Sequence, residues 1–121
     1  MPQIKLTYTP NLPAQDKLES FVLQLHQAVS PIISSDVSSF KTYIQPIERS
    51  VIGLADQNKA VIHIDFRMFA GRSEAVKQKV AKTIMALAQP MFSPSGNVVT
   101  EITLEVGKLD NDNYYKVIVN Q

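Results

Sequence analysis

The chain has 121 residues, 45% of them hydrophobic, and a formal charge of +1, so it reads as one folded domain with no charge bias toward nucleic acid or an anionic membrane. It contains no cysteine, which excludes disulfides, thiolate metal sites and cysteine nucleophiles. No apolar run approaches the roughly 20 residues needed to span a bilayer, and the N-terminal stretch lacks the basic start and apolar core of a signal peptide, so a soluble, cytoplasmic protein is expected.

Residues 3–8 alternate apolar and polar with period two, which predicts a strand, and Thr9-Pro10-Asn11 closes it with turn chemistry. Over about residues 14–29, Leu18, Phe21, Val22, Leu25 and Val29 fall at helical spacing, and Pro31 is expected to end this first helix. A polar connector, Ser34-Ser35-Asp36 with Ser38-Ser39, leads into a second strand over residues 40–47, bent or edged by Pro46. A turn near Asp56-Gln57-Asn58 precedes a third strand over residues 60–69. There the period changes from two to helical across Gly71-Arg72-Ser73. Ser73 is the expected N-cap, Glu74 suits the positive end of the helix, and Val76, Val80, Ile84, Leu87 and Met91 supply the apolar stripe. Pro90, Pro94 and Gly96 are expected to break the chain before a fourth strand over residues 99–106. Residues 114–119 are a candidate for a short further strand, of more use against a neighbouring subunit than alone.

The order is β-α-β twice, and the expected fold class is α/β (α+β): a β-α-β-β-α-β subunit whose four-stranded mixed sheet carries both helices on one face. One domain over residues 1–121 would comprise two halves, about 2–58 and 59–121. Ile62, Ile64, Phe66 and Met68, with Thr100, Ile102, Leu104 and Val106, should face the helices. Lys5, His63, Asp65, Arg67, Glu101 and Glu105 fall on the opposite face among Val61, Phe69 and Val99, suited to water or to a polar seam between subunits.

Few residues invite a chemical reading, and each has a structural alternative. Pro2 fits an edge strand, where its missing N–H is harmless. Alternatively, removal of Met1 leaves a secondary amine. An α-amino group titrates near ~8, and burial disfavours its charged form, so desolvation would make Pro2 a usable general base. Arg72 reads as a solvated loop arginine or as an anion contact, the latter because it precedes a helix N-terminus with its unpaired N–H groups. Lys41 reads as a surface lysine unless it stands beside Arg72. His63 lies mid-strand, and no metal-ligand spacing joins it to His26, so a hydrogen-bonded structural role is expected. Asp110-Asn111-Asp112-Asn113 lacks the glycine and terminal glutamate of an EF-hand loop and reads as a turn. Walker, dinucleotide and serine-nucleophile motifs are absent.

Met1-Pro2, the run VIHIDFRMFAGRS, the amphipathic helix after it and the closing ITLEVGKLDNDNYYK together resemble the 5-carboxymethyl-2-hydroxymuconate isomerase family of the tautomerase superfamily. The resemblance spans nearly the whole chain and is most specific around Ala70-Gly71-Arg72-Ser73. It implies a homotrimer of β-α-β-β-α-β subunits, no cofactor, a small carboxylate substrate and a role in aromatic-compound breakdown. Carried over by position, Pro2 falls on the catalytic proline and Arg72 on a substrate-binding arginine. Lys41 stands where relatives carry a second arginine, and a lysine keeps the charge but loses the fork that grips a carboxylate in two parallel bonds. Arg49 could replace that arginine only in a different strand register. Two other readings stay open: a tautomerase of a different small 2-oxo acid, and a non-catalytic ferredoxin-like ligand-binding module. RNA is disfavoured by the low charge and by strands lacking an aromatic platform.

Overall fold

The computed structural model describes residues 1–92 and 96–120. Strand β1 (Gln3–Tyr8) is central and its alternation is realised: Ile4 and Leu6 are fully buried while Lys5 is exposed. Helix α1 (Leu18–Ile33) follows a 3-10 turn at Gln15–Lys17, and its buried stripe is Leu18, Phe21, Val22, Leu25, Val29 and Ile33. Pro31 does not end it. The proline ring removes one i to i−4 hydrogen bond, but the next turn is held because Ile33 packs into the core at 4% exposure. The helix stops at Ser34, which takes the left-handed conformation (φ 53°) and donates its N–H to the Ser30 carbonyl.

A 3-10 turn at Val37–Ser39, capped by the Asp36 carboxylate, delivers the chain to β2 (Lys41–Pro46). Strand β3 (Lys59–Phe69) buries Ala60, Ile62, Ile64, Phe66 and Met68 on one face. Helix α2 (Glu74–Met91) begins at the expected cap, with Ser73 Oγ accepting from the Val76 N–H at 3.2 Å. It runs through Pro90 by one residue, and Phe92 then packs edge-on against Phe21 with ring centroids 5.3 Å apart. Strand β4 (Val99–Leu109) completes the sheet and extends beyond the expected end at residue 106. The expected chain break at Pro94 falls outside the described residues. Residues 114–120 form no strand in the isolated subunit.

The sheet order is β2-β1-β3-β4, with β1/β2 and β3/β4 parallel and β1/β3 antiparallel. These are the two crossovers expected, joined back to back. The buried residues of both helices share one core with those of β1 and β3, so both helices cover the same face. Pro46 ends the edge strand, where its missing N–H breaks no ladder bond.

Ser73→Ala should lower folding stability by about 1 kcal/mol, the usual worth of an N-cap side chain. Urea denaturation checks this: the midpoint should fall with the slope unchanged.

Candidate active site at the N-terminal end of the sheet

Strand register gathers the candidate residues. Gln3 pairs with Lys41 on one side and Arg67 on the other, so Met1-Pro2 lies between the start of β2 and the end of β3, where the turn to α2 begins. Pro2 is buried, and its carbonyl accepts from the Lys41 backbone N–H at 3.2 Å. The Met1 amine donates to the Ser39 carbonyl at 2.9 Å and also contacts Ser39 Oγ. Ser39 Oγ in turn donates to the Asp36 carbonyl at 2.6 Å, and Lys41 Nζ donates to the same Ser39 carbonyl at 3.2 Å. Serine 39 is thus the hub that fixes the N-terminus beside the Lys41 ammonium.

Arg72 reaches this end from the β3–α2 turn. Gly71 has φ 115°, a conformation that a side chain resists, and an added Cβ would meet nothing within 4 Å, so the requirement there is the backbone angle. The Arg72 guanidinium donates through Nη1 to the Phe69 carbonyl at 3.2 Å and through Nη2 to the Ile33 carbonyl at 3.0 Å. The second bond satisfies a carbonyl of the last turn of α1, which has no partner within the helix. Two of its five donors are used this way, and the fork is held across the ends of α1 and β3.

The electrostatic consequence falls on the N-terminal amine. Burial first, and then the positive charges of Lys41, Lys116 and Arg72, push the Met1 ammonium down from 8.0 to about 6, against a smaller opposing pull from Asp36. Asp36 is itself held below the usual carboxylate range by accepting from Ser38. The positions expected from the sequence, Pro2, Lys41 and Arg72, therefore come to one place. Ser39 and Lys116 join them unannounced. Ser39 had no more than connector composition to mark it, and Lys116 lies beyond a turn that the sequence only hinted would reverse the chain.

The remaining candidates lie elsewhere. His63 sits opposite Thr7, with Nδ1 2.6 Å from Thr103 Oγ1, in the structural role expected of it. His26 Nε2 lies 2.7 Å from Thr42 Oγ1, and burial pushes its pKa down. Arg49 lines a surface cavity of about 390 Å³ with Pro10, Glu48 and Lys59, at the opposite end of β1 from Pro2, so it does not stand in for a second arginine. Asp110-Asn111-Asp112-Asn113 is a turn, as read. Among the described residues no group of three or more His, Asp or Glu side chains has the arrangement of a metal site. No helix among them is long and apolar enough to cross a membrane.

The family model for 5-carboxymethyl-2-hydroxymuconate isomerase matches residues 2–118. No curated protein matches the sequence. Among solved structures, the fold is similar to a 5-carboxymethyl-2-hydroxymuconate isomerase from Deinococcus radiodurans R1, at 20% identity and TM-score 0.73, covering 96% of this chain and 88% of that one. It is also similar to a 5-carboxymethyl-2-hydroxymuconate delta-isomerase, at 18% identity and TM-score 0.84, covering 99% and 89%. A fused 4-OT symmetric trimer matches at 14% identity and TM-score 0.66, covering 93% and 91%. At these identities the structural likenesses speak for the tautomerase fold, and the family model for membership.

Proposed function

The chain belongs to the 5-carboxymethyl-2-hydroxymuconate isomerase family, and on that premise we propose that it moves a double bond in a 2-hydroxymuconate-type carboxylic acid without a cofactor, using the amine of Pro2 as general base once Met1 is removed. The observation that carries this reading is the setting of the N-terminus, where burial and three nearby cations hold an amine largely neutral at pH 7. Pro2 lies one residue further into the same setting and is buried where Met1 is half-buried, so the same causes act on its nitrogen.

In the reaction the neutral Pro2 nitrogen takes the proton of the substrate's 2-hydroxyl. The O–H electron pair becomes the C2=O bond, the C2=C3 pair shifts to C3–C4, and the C4=C5 pair takes a proton at C5 from the prolinium. One proton leaves and one returns, giving a 2-oxo acid. Arg72 grips a carboxylate and stabilises the charge that develops on the enolate oxygen, and Lys41 makes a weaker second contact. Arg72 has little ordering left to do, because its fork is already held by two carbonyls.

The active form in this reading is a homotrimer, as in the fused 4-OT relative. Val117 and Val119 in the tail are more than 80% exposed, and a neighbouring subunit would cover them.

The test is an ultraviolet assay of 5-carboxymethyl-2-hydroxymuconate isomerisation with tag-free protein whose loss of Met1 is confirmed by intact mass. Efficient turnover is expected. No turnover of this acid, with turnover of a smaller 2-hydroxydienoate, would move the assignment to a different 2-oxo acid tautomerase. The pH profile is a second check. Because the causes that lower the Met1 amine pKa favour the neutral, active form, kcat/KM should rise with pH through a limb below the ordinary amine value of 8 and stay level above it. A limb at 8 or higher would mean that the base is an unperturbed amine.

A further inference from the structure

Strand β4 is followed by a turn that is tied down at each step. The Asp110 carboxylate accepts from the Asp112 N–H at 3.1 Å and from Asn113 Nδ2 at 2.8 Å, and the Asn113 N–H donates to the Asp110 carbonyl. Asn111 clasps the backbone of Ala70, two residues before Arg72, accepting its N–H at 3.0 Å and donating to its carbonyl at 3.5 Å. Tyr114 then packs edge-on against Phe69, with ring centroids 5.1 Å apart, and its hydroxyl accepts from Gln3 Nε2 at 2.9 Å. These anchors lead the chain from the Arg72 turn to the residue beside Pro2. Lys116 lies two residues further on, a span of at most about 7 Å.

Lys116 is exposed and makes no ion pair among the described residues. The tail therefore brings an ammonium to a place that already holds Lys41 and Arg72, in a chain whose net charge is only +1. Among the described residues Asp36 is the one carboxylate whose charge opposes these cations at the N-terminal amine, and it already accepts from Ser38. Three like charges gathered around one point repel one another unless an anion of several charges lies among them. The effect of Lys116 on the amine is larger than that of Arg72, which agrees with its closeness to the N-terminus.

We propose that Lys116 is a third substrate contact, binding a carboxylate that Lys41 and Arg72 leave unpaired and giving the site its preference for tricarboxylates. The inference rests on the reading in the preceding subsection. The acid of the family's name has three carboxylates, two at the muconate ends and one on the carboxymethyl arm, so each cation takes one.

The test compares wild type, Lys116→Met and Lys116→Arg on 5-carboxymethyl-2-hydroxymuconate, on 2-hydroxymuconate with two carboxylates, and on 2-hydroxypenta-2,4-dienoate with one. Measured on the plateau above the pH limb, where the amine is neutral in both proteins, Lys116→Met should raise KM for the tricarboxylate about tenfold, the worth of one charge-assisted contact, with kcat within about twofold and the monocarboxylate unaffected. Lys116→Arg should restore the KM. An equal change on all three acids, or none on any, would overturn the proposal. Calorimetric binding of tricarballylate and succinate separates this inference from the assignment of the reaction. If wild type turns over none of the acids, the reaction assignment fails, while tricarballylate bound about tenfold more weakly by Lys116→Met, with succinate unchanged, still sustains Lys116 as a third carboxylate contact. Equal binding of tricarballylate by both proteins would overturn it.

Discussion

Pro2→Ala should lower kcat/KM for the isomerisation by about 10²-fold or more, within the 10²- to 10⁴-fold that a positioned general base contributes. Alanine also permits loss of Met1 and leaves an amine, so the base is displaced and loosened, not deleted. The pyrrolidine ring fixes the nitrogen's direction, whereas an alanine amine rotates freely and presents extra N–H groups to the Ser39 carbonyl that now receives the Met1 amine. The loss should fall on kcat, because the proposed carboxylate contacts of Lys41 and Arg72 are left in place. Far-ultraviolet circular dichroism and sedimentation should be unchanged, which separates lost chemistry from lost structure. A form with residues fused before Pro2 should be inactive for a different reason: its nitrogen is an amide, whose lone pair is delocalised into the carbonyl. Undiminished activity in Pro2→Ala, with Met1 loss confirmed, would remove Pro2 from the mechanism.

The strands that build the site were legible, whereas the grouping of its residues came from the family resemblance. Alternation marked β1 over the residues it occupies and a second strand was expected to begin near Lys41, but only the resemblance put Lys41 with Pro2 and Arg72. The Gly71-Arg72-Ser73 joint was equally visible, because a left-handed glycine and a capping serine are local signals. What escaped depended on tertiary context. Pro31 reads locally as a stop, yet burial of Ile33 offsets the missing hydrogen bond and carries the helix on to place its last carbonyl under Arg72. The tail has the composition of a strand but, among the described residues, no ladder partner within its own subunit, and Tyr114 is the one of them that is fastened. Lys116 was invisible because its proximity to Pro2 depends on a clasp between Asn111 and Ala70 that no periodicity records.

Arg72→Ala is the variant in which structural and chemical roles must be disentangled, since the same guanidinium braces the fold and is proposed to grip substrate. Its removal leaves the Ile33 and Phe69 carbonyls without their donors, one of them at the end of a helix, and should lower stability by about 1–3 kcal/mol. Loss of a forked, charge-assisted contact should lower kcat/KM by about 10²-fold, with much of it in KM. Arg72→Lys separates the two effects. A lysine retains the positive charge and can satisfy one carbonyl but not both while facing a carboxylate, so stability should recover in part and KM should stay raised. If Arg72 were only a brace, both variants would be less stable while KM at a temperature well below the unfolding transition stayed at its wild-type value. If it also binds, KM and stability should move independently across the pair, and the pH limb should rise in Arg72→Ala, because a cation that depresses the amine has been removed.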